Sequence, residues 1–176
     1  MYIHIVGTHF SINMDRSATS LLIYLLFLAV NLLINMDHGS IPAATTKISE
    51  DLQFSKVQLG ALGSLVFIGL AVGSSVSGFV YTHFGTKSII SFFTMLTALS
   101  LILFPVSGTN HYLVYLARFM AGMFQVFLVV YFPVWIDVFA PDRWKTLWLT
   151  FLQLAVPLGV IFGYSLTSFM IRAFTV

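Results

Sequence analysis

The chain has 176 residues, 59% hydrophobic and 8% charged, with a net charge of +2 and a mean hydropathy of +0.96. A water-soluble domain carries about 25% charged residues, so this composition excludes a water-facing surface and implies an integral, multi-pass membrane protein in contact with the lipid bilayer. The small, dispersed positive charge gives no footprint for nucleic acid, and the lack of cysteine excludes a disulfide framework and a thiolate metal site.

Residues 1–17 form a mixed N-terminal tail without a signal-peptide pattern. Arg16 precedes the first apolar run, but Asn31, Asn35 and Asp37 follow it where a small-residue cleavage site would stand. The run is therefore read as a retained transmembrane helix, and residues 18–176 as a five-helix transmembrane domain. The first helix spans about Ala18 to Met36, with scope to continue past Pro42. The second spans Val57 to Tyr81 and opens on Ser55 and Gln58, a capping-box spacing. The third spans Ser88 to Val106 and ends at the turn cluster Ser107-Gly108-Thr109-Asn110. The fourth spans His111 to Phe139 and stops at Ala140-Pro141-Asp142. The fifth spans Trp144 to Ile171. Each has the roughly 20 residues that a ~30 Å hydrocarbon core requires. No alternation of the barrel type appears, so the predicted fold is all-α.

Between the second and third runs, Gly78 to Lys87 reads as a tight turn. Gly78 and Gly85 bracket it, where glycine allows positive φ or close backbone approach. Thr82 and His83 lie inside it, and Lys87 closes it at the membrane edge. Within the helices, Gly69, Gly73 and Ser77 recur every four residues, as do Gly159, Gly163 and Thr167. Such stripes let a neighbouring helix approach closely, whether as fixed packing or as a sliding or rocking interface. Arg16, Lys87, Arg143 and Lys145 fall on one side of the membrane; Lys47, Lys56 and Arg172 fall on the other. That excess of one points the N-terminus toward the cytoplasmic or matrix-like side.

Polar residues inside the helices carry the functional signal. Arg118 lies about seven residues into the fourth helix, roughly 10 Å deep at 1.5 Å per residue. Arginine at a bilayer centre costs about 2.5–3.5 kcal/mol on insertion scales, somewhat less at this depth. Arg118, Gly122 and Gln125 share a helix face, and so do Asn31, Asn35 and His38, with Asp37 beside them. The two faces are expected to line one interior cavity in which Asp37 is the counter-charge of Arg118. The alternative is that Arg118 snorkels to headgroups while the asparagines only bond neighbouring helices. Asp137 reads as an interfacial cap, and His4, His9, His83 and His111 as interfacial residues without ligand spacing. The sequence shows no nucleophile–base pair, metal spacing or phosphate loop, so neither an enzyme nor a cofactor is expected.

This layout resembles the N-terminal half of a major facilitator superfamily transporter, and within it the spinster-like branch. Asn35-Met36-Asp37-His38 is similar to that branch's Asn-x-Met-Asp-Arg run, with His38 where Arg is usual. The Ile48–Leu62 stretch resembles its loop and the start of its second helix. Leu116-Ala117-Arg118 to Asp137-Val138-Phe139, then Ala155-Val156-Pro157-Leu158-Gly159 and Gly163-Tyr164, resemble its fourth and fifth helices. The likeness covers Leu21 to Ser168.

Two departures carry consequences. The superfamily's second loop has an acid and a base where Thr82 and His83 stand, so the resemblance implies a weakened conformational latch. The branch has Glu on its fourth helix where this chain has Gln125, an amide that cannot change charge, which leaves Asp37 as the proton-linked acid. The resemblance implies two six-helix halves around a midplane site, of which five helices are counted here. The expectation is a half of a secondary transporter, with or without proton coupling, for a small organic or amphipathic anion, completed by a second transporter half. The alternative is an accessory subunit of a larger membrane complex, derived from a transporter. Plasma, lysosomal and mitochondrial inner membranes all fit.

Overall fold

The structure, a computed structural model, describes residues 16–174. His4 and His9, and most of the expected tail, lie outside the described residues. Five helices follow one another: α1 (Arg16–Leu52), α2 (Lys56–His83), α3 (Thr86–Val106), α4 (His111–Phe139) and α5 (Lys145–Phe174). All five are long and apolar enough to cross a membrane, and the described residues hold no strand.

The ends follow from local chemistry. At the start of α2, the Ser55 hydroxyl accepts from the Gln58 backbone N–H, while the Gln58 side chain accepts from the Ser55 N–H at 2.8 Å, the reciprocal pair read from the sequence. Asn110 caps α4 by accepting from the Leu113 N–H, and Gly108 supplies the left-handed φ of +55° that turns α3 into α4. α1 runs through Pro42 to Leu52. Proline has no N–H, so the carbonyl of His38 loses its i+4 donor there.

The loop after α2 departs from the sequence reading. α2 continues through His83, so Gly78, Thr82 and His83 are helical, and Phe84 and Gly85 alone separate α2 from α3. Gly85 has φ of −66° and caps α3. Neither Gly78 nor Gly85 has positive φ, and a Cβ on either would meet nothing within 4 Å. The apolar and small residues of Phe79–Tyr81 sustain the helix, so neither glycine is required by a turn.

α4 is the central helix. In its apolar window 56% of residues are buried, against 17–28% in the other four. Two close crossings organise the packing. Gly159 and Gly163 of α5 press on Leu32, Asn35 and Met36 of α1, and Gly39 of α1 answers them against Val160 and Tyr164. Gly69 and Gly73 of α2 press on Phe119 and Met123 of α4, and Gly122 of α4 answers them against Val66. A side chain at Gly163 or Gly122 would run into the opposing backbone carbonyl, which is why these positions carry none. α3 lies along the far side of α4, its Phe93 stacked on Phe127 at 3.6 Å between ring centroids. Contacts between the α1–α5 pair and the α2–α4 pair are sparser.

Those two pairs meet at an aromatic and a polar level. Phe27 of α1 stacks on Phe132 of α4 at 4.7 Å and meets Trp135 edge-on at 5.1 Å. At the same level, within the α1–α5 pair, Tyr24 stacks on Trp148 at 4.3 Å and its hydroxyl donates to the Trp148 carbonyl at 3.0 Å. The polar level, farther along α1, is the candidate site.

Candidate functional site

Asp37 and His38 are consecutive on α1. Arg118 and Gln125 are two turns apart on one face of α4. The two helices bring them together as two adjacent bridges. The Arg118 guanidinium donates from Nη1 to Asp37 Oδ2 at 2.6 Å, with side-chain exposures of 5% and 19%. His38 Nε2 and Gln125 Nε2 stand 3.1 Å apart. Gln125 is buried.

One ring from α3 and one from α2 lie against the bridges. Phe104 of α3 lies 4.0 Å from the Arg118 guanidinium carbon, a cation–π contact in a desolvated setting. Phe67 of α2 stacks with His38 at 5.9 Å. Neither ring was singled out from the sequence, because an isolated Phe in an apolar helix carries no signal before its partner is known.

Arg118 retains unused capacity. Guanidinium offers five N–H donors in a rigid fork, yet Arg118 Nε is buried and has no partner among the described residues. A buried, half-satisfied guanidinium is suited to a second carboxylate or phosphate oxygen.

The residues expected at one site fall into two groups. Asp37, His38, Arg118 and Gln125 do converge. Asn31 and Asn35 do not join them: the Asn31 amide donates to the Leu152 carbonyl of α5 at 2.9 Å, and the Asn35 amide donates to Asn31 Oδ1 at 3.1 Å and to its carbonyl at 2.7 Å. Both asparagines are buried against α5 and satisfy the α1–α5 seam. Gly122, read as part of the polar face, serves the α2–α4 crossing.

Beyond the site, Thr82 and His83 bond inside the last turn of α2. The Thr82 hydroxyl donates to the Phe79 carbonyl at 2.7 Å, and His83 Nδ1 lies 2.9 Å from the same carbonyl. Lys87 is exposed at the start of α3. Asp137 is an exposed partner of Lys145 at 3.3 Å, tying α4 to α5 at the membrane edge. His111 Nε2 lies 3.1 Å from the Leu52 carbonyl at the opposite edge. Among the described residues no cluster of three or more His, Cys, Asp or Glu could hold a metal ion.

What the converging four residues can do is hold or exchange charge. They offer one fixed cation, one carboxylate, one imidazole and one amide beside the Phe104 and Phe67 rings. No curated protein and no solved structure matches the chain. The family model of the Major Facilitator Superfamily matches residues 20–175.

Proposed function

The chain belongs to the major facilitator superfamily, and from that premise we propose that it is half of a secondary transporter whose substrate is a small organic or amphipathic anion. The observation that carries this reading is Arg118. It is buried at 4% exposure, bridged to Asp37 by one nitrogen, and its Nε has no partner among the described residues. Ionisable residues within a membrane bundle are costly and mark substrate or ion pathways. In this reading the Nε of Arg118 is the donor offered to a ligand once the site opens.

Asp37 acts in this reading as the gate. It holds Arg118 at rest and yields it when a substrate carboxylate competes or when the carboxyl is protonated. The likeness to the spinster-like branch, through Asn35-Met36-Asp37-His38 and Leu116-Ala117-Arg118, supports an amphipathic substrate. A second half, on this or another chain, supplies the opposing wall, since alternating access is a rocking of one repeat against another.

The test is uptake of radiolabelled lactate, a small organic anion, into vesicles holding the native assembly. Asp37→Asn and Arg118→Ala should each bring uptake down to the background of vesicles lacking the protein. Uptake unchanged by both substitutions would reject the reading.

One observation favours a second reading, an accessory subunit of a larger membrane complex. Thr82 and His83 satisfy their hydrogen bonds within α2 itself, so they reach no neighbouring helix as a charged latch would. Stoichiometric co-purification with several other subunits, together with no lactate uptake, would favour it.

A further inference from the structure

α5 turns a polar stripe outward. Thr146, Thr150 and Gln153 follow one another at helical spacing, and all three are exposed. With Leu149 and Leu154 they line a shallow hollow of about 410 Å³. Lys145, at the start of the helix, pairs with Asp137 and Asp142 at the membrane edge. Gln153 lies farther in, roughly 12 Å along at 1.5 Å per residue, and so within the hydrocarbon core.

Two polar groups are open at that point. The Gln153 amide makes no hydrogen bond among the described residues. The Gln153 carbonyl lacks the donor that closes a helical turn, because the residue four positions ahead is Pro157, which has no N–H. Pro157 is itself exposed, so this carbonyl opens away from the packed face of Leu152, Ala155 and Gly159. Exposed hydroxyls on the other helices turn back on their own backbone: Ser64 donates to the Gly60 carbonyl, Ser75 to Ala71 and Thr94 to Ile90. Gln153 does not.

Hydrocarbon offers no partner for such groups, and a proline in a membrane helix is accommodated where a neighbouring helix restores the bonds it frees. What covers this face must bring an N–H donor and an oxygen acceptor at the depth of Gln153. The α5 helix of a second copy brings both. Copies inserted in one orientation are related by a two-fold axis along the membrane normal. That axis runs the two α5 helices parallel and sets both Gln153 residues at one depth. Each amide N–H then donates to the freed carbonyl or to Oε1 of the other copy, and the exchange satisfies both. Thr146 and Thr150, small and four apart, let the helices approach closely. The stripe carries no charge, so the copies do not repel across the axis.

We propose that α5 is a self-association surface: a second copy of this chain packs on the Thr146–Thr150–Gln153 stripe, and the two Gln153 residues bond to each other across the two-fold axis. This rests on the reading that a second helical body completes the unit, and it names that body. It is independent of what Arg118 binds.

Two measurements test it. The chain has no cysteine, so a single introduced thiol reports its own neighbour. Membranes holding the native assembly are oxidised with copper phenanthroline. Thr150→Cys should join two copies into a product of twice the chain's mass, whereas Phe151→Cys, exposed at the same depth on another face of α5, should not. The second measurement is energy transfer between donor- and acceptor-labelled copies in liposomes, followed as lipid is added. Gln153→Leu, an apolar residue at a position open to lipid, should weaken association about tenfold. Gln153→Asn, which keeps an amide, should weaken it less. Pro157→Ala, which returns an N–H to the Gln153 carbonyl, should weaken it too.

Thr150→Cys that joins a different polypeptide, or none, overturns the proposal. So does equal joining from Thr150→Cys and Phe151→Cys, the mark of random collision. Association unchanged in Gln153→Leu overturns it as well. Joined copies without lactate uptake leave this contact standing and reject the transporter reading; uptake without joined copies does the reverse.

Discussion

Arg118 and Asp37 face each other at 2.6 Å with side-chain exposures of 5% and 19%, so removing either leaves the other charge without its partner. Breaking such a pair costs about 3–5 kcal/mol, whereas removing both partners together costs far less. Asp37→Asn and Arg118→Gln should therefore each lower the stability of the detergent-extracted protein by about 3 kcal/mol, and the double substitution by less than the sum. Strict additivity in a denaturant-unfolding cycle would show that the two side chains do not interact. The pairing itself was legible in the sequence, because the chain offers a single basic residue deep in the fourth helix and one acid at matching depth on the first. The roles of Asn31 and Asn35 were not. Helical periodicity puts them on the face of His38, but a face of α1 wide enough to hold Asn31, Asn35 and His38 meets α5 on one flank and α4 on the other. Asn31 is held to the α5 flank by the carbonyl of Leu152, a residue more than a hundred positions away, and Asn35 bonds back to Asn31.

At the scale of the helices, the glycine stripes separate into positions that packing requires and positions it leaves open. Gly163 lies against the Met36 backbone, and any side chain there must push α1 and α5 apart. Gly78 faces open space. Gly163→Ala should destabilise the protein by about 1–3 kcal/mol, as overpacking does. Gly78→Ala should stabilise it by about 0.5–1 kcal/mol through helix propensity. Thermal midpoints of the two variants moving in the same direction would contradict this assignment. Five helices, their order and the capping box at Ser55 could all be read beforehand, since length, hydropathy and a three-residue spacing are local properties. The turn after the second helix was misjudged for the same reason: glycine and polar residues at 78–85 look like punctuation locally, but α2 extends three residues past Val80 before it stops. Gly39 and Gly122, the receiving halves of the two crossings, follow no stripe of their own. They become visible only when the helix opposite is in place.

In the molecule as a whole, a central α4 is wrapped by helices that keep large apolar faces outward. Leu22, Leu26 and Leu33 of α1 are each at least 60% exposed, as are Phe67 and Phe79 of α2. Lipid covers such surface in a bilayer, and so would a second helical body. The α1–α5 and α2–α4 pairs, each locked by glycines and joined mainly through the Phe27–Trp135 aromatics and the Asp37–Arg118 bridge, make a unit whose polar centre lies between pairs rather than within one. That is the placement expected of a residue that must engage and release a ligand. The claim with the widest reach is that this unit works as half of a transporter. The native mass of the detergent-extracted particle, taken with the intact mass of the chain inside it, tests this most directly. The account predicts one further helical body of about the size of this 19.6 kDa unit, on the same chain or on a single partner. A 19.6 kDa chain held within a particle of many different subunits would contradict it.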